Sequence, residues 1–169
     1  MTAVQRRSAI YEQLTHADAP ISATALAQQF SVTRQVVVGD IALLRAEGHS
    51  ITATPRGYMI PAETGLRRTI ACHHSGADTQ RELFAMGDCG CTVLDVTVEH
   101  PVYGEITAAL QLACRYDVDE FVRKMQENAA QPLSLLTEGL HFHRLSVPDE
   151  AAFTRVCDAL RHLGMLLED

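Results

Sequence analysis

The spacing of two histidines, His141 and His143, is the feature of this sequence best suited to chemistry. Successive side chains of a β-strand alternate between its faces, so both imidazoles would lie on one face. His74, followed eight residues later by Glu82, supplies a second pair. Three neutral nitrogens and one carboxylate suit a borderline divalent ion such as nickel, zinc, iron or manganese. We therefore predict that these four residues bind one divalent transition metal, although any one histidine taken alone would more often be an ordinary surface or core residue.

Other residues compete for this role. In a strand His73 would point away from His74, so we expect it to face solvent or to hydrogen-bond a ligand rather than to bind the ion. Cys89 and Cys91 form a Cys-x-Cys pair, but this pattern is weak without a second pair of ligands. The five cysteines are an odd number and show no disulfide framework. We expect buried or inert thiols in a cytoplasmic protein.

Charge is distributed unevenly along the 169 residues, whose formal net charge is -7. Residues 1–62 contain five arginines and four acidic residues, whereas residues 63–169 contain nine basic and seventeen acidic residues. A near-neutral half with isolated arginines joined to an acidic half is consistent with a DNA-binding domain followed by a regulatory domain. No apolar stretch is long enough for a membrane span, and no signal peptide is visible, so no membrane partner is expected.

The first sixty residues show three helical patterns and a hairpin. The helices are predicted over residues 3–16, 21–30 and 33–47, the last ended by Gly48. A tight turn joins the second and third helices, which is the pattern of a helix-turn-helix. Residues 50–60 alternate and turn at Pro55-Arg56-Gly57, which predicts a small β-hairpin, or wing.

Five residues of this region are predicted to contact DNA. Near the start of the third helix, Arg34 could read guanine and Gln35 could read adenine. Thr33 and Val38 lie beside them on the outward face, and Arg56 at the wing tip could reach a phosphate or the minor groove. A polar face is common in three-helix bundles, but the added wing favours DNA binding.

Mixed elements are predicted after a linker at residues 61–65. Strands are predicted over residues 68–74 and 92–100, and a hairpin over residues 133–137 and 140–147. Helices are predicted over residues 78–87, 103–115, 119–128 and 149–167. The chain is therefore predicted to be an α+β protein, with a winged helix-turn-helix domain at residues 1–61 and, at residues 66–169, a regulatory domain whose sheet is covered by helices.

Several motifs in order resemble one family. The 3H domain, named for its histidines, is matched by Cys72-His-His74, Glu82-Leu83, the run from Asp95 to Glu105, the run from Pro132 to Gly139, and Leu140-His-Phe-His143. Thr33-Arg-Gln-Val, the run from Asp40 to Arg45 and the run from Ala53 to Tyr58 resemble the winged helix that precedes it. The sequence is thus similar to NiaR-type niacin-responsive repressors along nearly its whole length.

This resemblance implies a function. It implies a transcriptional repressor of NAD biosynthesis or niacin uptake genes, with nicotinic acid as corepressor, that binds operator DNA as a homodimer and is not an enzyme. It also implies a metal held by His74, Glu82, His141 and His143, the residues that spacing selects independently.

Candidate effector-binding residues are less well defined. His100, at the end of a predicted strand, could donate to a ligand or be a core histidine, and Tyr103 could stack on a pyridine ring or simply pack. Arg123 and Arg144 could pair with a carboxylate, although both could equally be solvated.

Three alternatives to the niacin hypothesis are open. The same four ligands would suit a repressor for which the metal itself is the signal. The effector could be nicotinamide or another pyridine. A metal-dependent hydrolase is the third, but the sequence shows neither a separate general base nor a nucleophile motif.

Overall fold

The chain divides into two compact units, residues 1–63 and 64–169. The computed structural model describes residues 1–62 and 65–168. Glu63 and Thr64 of the predicted linker, and Asp169 at the end of the predicted second domain, lie outside the described residues. Among the described helices, none combines the length and the apolar character that crossing a membrane requires.

Three helices and a two-stranded hairpin form the first unit. They are α1 (Ala3–Thr15), α2 (Ala23–Gln29), α3 (Arg34–Ala46), β1 (Thr52–Thr54) and β2 (Gly57–Met59). Each helix begins at a hydroxyl residue whose side chain accepts from a backbone N–H of the first turn: Thr2, Ser22 and Thr33. Such caps satisfy N–H groups that have no partner within the helix.

An apolar stripe of α3 packs inward. Val37, Ile41 and Leu44 are buried in one core with residues of α1 and α2. The same helix buries Asp40, whose carboxylate accepts from Arg6 of α1 at 2.6 Å. This ion pair and the apolar contacts fix the orientation of α3 against α1, so its outward face is held in place.

The predicted wing is present and requires a glycine. Gly57 has a φ of +138°, and a Cβ there would lie 2.3 Å from the carbonyl oxygen of Ile21. Only glycine tolerates both the backbone conformation and the contact. Tyr58 then pairs with Ile21 in a β-bridge, which ties the hairpin to the start of α2.

A four-stranded antiparallel sheet forms the second unit together with three helices. The elements are β3 (Leu66–His73), α4 (Thr79–Asp88), β4 (Thr92–His100), β5 (Gly104–Leu112), α5 (Arg115–Glu127), β6 (Leu140–Val147) and α6 (Glu150–His162), with short 3-10 turns at Gly76–Asp78 and Leu133–Thr137. The strand order is β3-β6-β4-β5, so the last strand in sequence lies in the middle of the sheet.

The helices share one core with one face of this sheet. Along β6 the residues His141, His143, Leu145 and Val147 are buried, while the intervening residues are not. Apolar residues of α4, α5 and α6 belong to the same buried cluster as Leu145 and Val147. The predicted α+β architecture, a winged helix-turn-helix followed by a sheet covered by helices, is confirmed.

The helix predicted over residues 103–115 is wrong, because most of this segment is β5. Alanine, leucine and glutamine favour a helix, but pairing with most of β4 outweighs that preference. Gly104, with a φ of +72°, allows the tight turn from β4 into β5. Leu110 and Leu112 are buried two residues apart, as in a strand.

The strand predicted over residues 133–137 is also wrong. This segment forms a 3-10 turn, which Glu138 ends in the left-handed conformation with a φ of +53°. Gly139 then donates its N–H back to the carbonyl oxygen of Ser134 at 2.9 Å. The expected hairpin therefore does not form, and β6 pairs instead with β3 and β4, which are distant in sequence.

Candidate metal centre

Three separate elements bring the four predicted ligands together. His141 and His143 lie on the buried face of β6, Glu82 lies on α4, and His74 directly follows β3. The predicted strand that was to include His74 therefore ends one residue earlier. Gly139 allows the close approach of the chain here, since a Cβ at that position would lie 2.3 Å from the carbonyl oxygen of His74.

The carboxylate of Glu82 lies at the centre of this cluster. His74 Nε2 is 2.8 Å from Oε2, while His141 Nε2 and His143 Nε2 are 2.9 Å and 3.4 Å from Oε1. The side chains of all four residues are at most 4% exposed. Although they are close to the carboxylate, the Nε2 atoms of His74 and His143 make no well-aligned hydrogen bond.

Backbone carbonyl groups orient all three imidazoles. Because a carbonyl oxygen only accepts, the Nδ1 atom facing it must carry a proton. The neutral ring then has its lone pair on Nε2, the atom that faces Glu82. The Nδ1 donors and their acceptors are His74 to Ser75 at 2.7 Å, His141 to Gly139 at 2.9 Å and His143 to Asp95 at 2.7 Å.

Neutral histidines would therefore place three lone pairs against an acceptor-only carboxylate. A buried arrangement of acceptors alone is unfavourable unless a cation lies among them. Protons on the Nε2 atoms would provide the charge in one state, and a divalent ion bound to the same atoms would provide it in another. The donor set fits a borderline divalent transition metal, and backbone hydrogen bonds of this kind commonly orient metal-binding histidines.

The direction of the pKa shifts agrees with this electrostatic arrangement. Burial by itself lowers the pKa of His74 and of His143, but the neighbouring Glu82 carboxylate outweighs it and raises both values. Burial by itself raises the pKa of Glu82, but the three imidazoles lower it well below its usual value. The Glu82 carboxylate therefore favours the charged forms of His74 and His143, on the atoms to which a metal would bind.

Cys72 is a further residue of the cluster, which the sequence interpretation treated as an inert thiol. Its Sγ and ligand atoms of Glu82 and His141 all lie within 4.8 Å of one another. Cys72 is fully buried on β3, where it is paired with His141 across the two strands. Only knowledge of the strand pairing could have shown that Cys72 lies beside His141, because 69 positions separate the two residues in sequence.

Comparison with known proteins identifies the family. Residues 67–169 match the 3H domain, and residues 6–59 match an HTH domain. The chain is 40% identical to the Transcription repressor NadR of Bacillus subtilis, over 97% of this chain and 94% of that protein. It is 37% identical to the Probable transcription repressor NiaR of Thermotoga maritima, over 98% and 95% of the two chains. The chain belongs to the 3H-domain family of transcription repressors.

A small apolar cavity of this 3H repressor adjoins the histidine cluster around Glu82. It has a volume of about 40 Å³. His141 and His143 form part of its wall, and the rest comes from α4, the adjacent strands, α5 and the turn after α5: Thr79, Leu83, Val96, Leu110, Phe121, Met125, Pro132, Leu133 and Ser134. The sequence interpretation named none of these residues as effector-binding, because their convergence depends on the pairing of β5 and on the 3-10 turn.

The four predicted effector residues of the repressor lie elsewhere. His100 and Tyr103 are at the turn between β4 and β5, where His100 Nδ1 accepts from the Tyr103 N–H and the Tyr103 side chain is 77% exposed. Arg123, on α5, pairs with acidic residues of its own helix. Arg144 follows His143 on β6 and pairs with Asp95, so it points away from the cluster. None of the four lines the described cavity.

His73 is exposed, and its Nε2 lies 3.1 Å from the carbonyl oxygen of Glu138. It takes no part in the described cluster around Glu82, which is the placement that strand alternation predicts.

The predicted DNA-contacting residues are arranged at the start of α3 and at the wing. Arg34 and Gln35 are exposed, Val38 is half-buried, and Thr33 caps the helix through its hydroxyl group. Arg56 is half-buried at the hairpin turn. The first helical turn of α3 therefore presents long polar side chains to solvent while its opposite face is anchored in the core.

Proposed function

We propose that this repressor controls genes of NAD biosynthesis or niacin uptake, with nicotinic acid as corepressor and a divalent transition metal in its 3H domain. The metal would be held by His74, Glu82, His141 and His143. The observation that carries this proposal is the convergence of three backbone-oriented Nε2 lone pairs on one buried carboxylate. Both relatives are named as transcription repressors, which supports a regulatory role rather than hydrolysis.

Nicotinate suits this centre for an electrostatic reason. Three imidazoles and one carboxylate would leave a coordination position available on a divalent transition metal, so the ion could take a further anionic or lone-pair donor. A metal supplies a strong local positive charge in a region from which water is excluded. His141 and His143 form both part of the cluster and part of the cavity wall, so a pyridine carboxylate in the cavity would adjoin the ion.

Entry of the ligand requires the cavity to enlarge. About 40 Å³ accommodates one or two waters, whereas a cavity of roughly 150 Å³ is needed for a benzene-sized ring. The outer wall is formed by Phe121 and Met125 of α5 and by the turn from Pro132 to Ser134. We infer that nicotinate binds a form in which this wall has moved outward.

Such a movement of the cavity wall could couple nicotinate binding to DNA binding. A corepressor acts when it binds the DNA-competent state more tightly than the other state. Two copies of the winged helix in a homodimer would present Arg34 and Gln35 to two operator half-sites. By linkage, DNA would then increase the affinity for nicotinate by the same factor that nicotinate increases the affinity for DNA.

The test measures DNA binding with each component varied. Metal-loaded protein is titrated onto fluorescent fragments from upstream of niacin uptake and NAD biosynthesis genes, with and without nicotinate. Nicotinamide, which lacks the carboxylate, and benzoate, which lacks the ring nitrogen, are matched ligand controls. Of the three ligands, only nicotinate should increase the affinity for DNA. Equal affinity with and without nicotinate would count against the corepressor, and a response to nicotinamide would identify a different pyridine.

A metal-sensing repressor is the second candidate, and the small size of the cavity favours it. In that case the ion would bind in place of protons at the Nε2 atoms, and this exchange would be the signal. Titrating metal alone into metal-free protein on the same DNA separates the two. A full increase in DNA affinity from metal, with no further effect of nicotinate, would support metal sensing.

A further inference from the structure

We propose that Cys72 is a fifth protein donor to the metal, so that the centre contains a thiolate in addition to its histidines and carboxylate. This inference rests on the metal centre proposed above and goes beyond the four ligands assigned there. Cys72 lies on β3, and none of the four proposed ligands lies within that strand, because His74 comes directly after its end.

Geometry places the thiol at the centre. Cys72 Sγ lies within 4.8 Å of a ligand atom of Glu82 and of one of His141. Glu82 Oε1 and His141 Nε2 are 2.9 Å apart. The sheet register holds this arrangement, because Cys72 and His141 are directly paired on the buried face of β3 and β6. A movement of a side chain, without a movement of the strands, would bring Sγ to an ion bound by the other two residues.

A second observation points to a cation at the same place. His143 Nε2 is buried, faces the cluster and has no hydrogen-bond partner among the described residues. Its ring is held by Asp95 through Nδ1, so the free lone pair is directed at Glu82 rather than turned away. Cys72 and His143 thus both lie near the Glu82 carboxylate.

Charge balance favours the thiolate. A divalent ion with three neutral imidazoles and Glu82 would leave one positive charge unbalanced in a site closed to water, which is unfavourable. Binding of Sγ releases the thiol proton to solvent as the sulfur–metal bond forms, and the resulting anion balances that charge. Thiolate is also a soft ligand, so it would favour zinc or cobalt over manganese.

Cys72 and the cavity lie on different sides of the histidines. β6 separates β3 from β4 in the sheet, and the cavity is lined from the β4 and β5 side. Cys72 is not among the residues described as lining that cavity. A thiolate donor would therefore leave the side of the ion toward the cavity available to the effector.

Cobalt(II) tests this directly, because a cobalt–thiolate bond gives an intense charge-transfer absorption in the near ultraviolet. Full-length protein is freed of metal with a chelator, kept reduced and titrated with Co²⁺. The wild type should develop this band up to one equivalent. Cys72→Val should lose the band and bind Co²⁺ at least roughly tenfold more weakly, while Mn²⁺ affinity should change less. Cys91→Val removes an equally buried thiol of the same core and should keep both the band and the affinity.

The outcomes separate the two proposals. If wild-type protein binds one Co²⁺ without the thiolate band, or if Cys72→Val retains it, Cys72 is not a donor, but the four-ligand centre stands. If the wild type binds no Co²⁺, both proposals are overturned. Should Cys72→Val fold poorly, Cys72→Ala repeats the measurement. Absence of the band in the wild type overturns the proposal whichever variant is used.

Discussion

Replacing Glu82 by glutamine should destabilise the metal-free second unit in a pH-dependent manner. The substitution preserves the shape of a side chain that is 1% exposed but removes its charge. Two imidazole nitrogens lie 2.8 Å and 2.9 Å from the carboxylate, and contacts with a charged group contribute about 1.5–3 kcal/mol each. The amide oxygen can still accept from one of them, so we expect a loss of about 1.5–3 kcal/mol near pH 6.

The pH dependence follows from the direction of the pKa shifts. The raised pKa of His74 and His143 contributes stability that is complete below about pH 6.5 and is lost as the pH rises through the folded values. The lowered pKa of Glu82 contributes stability that is present above about pH 4.3 and is lost as the pH falls through its folded value. The difference between wild type and Glu82→Gln should therefore be largest between these pH values and decrease above them.

Urea unfolding measured on the second unit alone would check this. The methyl NMR signals of Leu145 and Val147, both buried on β6, report that unit separately from the first. Measurements with chelator at about pH 5.5 and pH 8 give the free energy of unfolding in each condition. Glu120→Gln makes the same change on the surface of α5 and should alter stability by less than about 0.5 kcal/mol. A Glu82→Gln effect that matches this control, or that grows with pH, would refute the electrostatic account.

Four further predictions concern metal and DNA. Replacing His141 and His143 together by alanine should abolish metal uptake, and elemental analysis that still finds one ion per chain would refute the assignment. Protons compete with the metal for the imidazole nitrogens, and Glu82 raises the pKa of His74 and His143 against the effect of burial. Metal affinity should therefore already be falling as the pH drops to about 6.5. A metal affinity that calorimetry finds unchanged down to about pH 5.5 would contradict this. Arg34→Ala should weaken specific operator binding by about 1–3 kcal/mol in fluorescence anisotropy, whereas an equal loss on unrelated DNA would indicate a phosphate contact. Gly139→Ala should weaken metal binding, since its Cβ would meet a backbone carbonyl oxygen at 2.3 Å, while Gly90→Ala, with a similar φ but no atom within 4 Å, should not.

Local patterns predicted a large part of the fold. The helix-turn-helix could be predicted because α2 and α3 combine hydroxyl caps, an apolar stripe and a glycine end within a short stretch of chain. Likewise β4 was predicted with its observed bounds, since nine residues rich in valine and threonine and followed by a proline are a strong strand signal. Local signals failed at β5, where residues that favour a helix are held in a strand by β4.

The candidate site shows the same division. His-x-His spacing determined that His141 and His143 share one face of a strand, because the alternation of side chains is a property of the backbone itself. Spacing and family resemblance together selected His74 and Glu82, but neither indicated that Nδ1 of each imidazole would be held by a carbonyl group. The effector residues proposed from sequence, such as Arg123 and Arg144, instead pair with nearby acids.

What the sequence by itself determined is which side chains are available and how neighbours along one element are oriented, since both depend on residue type and backbone period. The tertiary structure alone decided that β6 lies between β3 and β4. That placement brings Cys72 beside His141 and forms the cavity next to His143. Contacts between strands distant in sequence follow from the packing of the whole unit, and no local pattern encodes them.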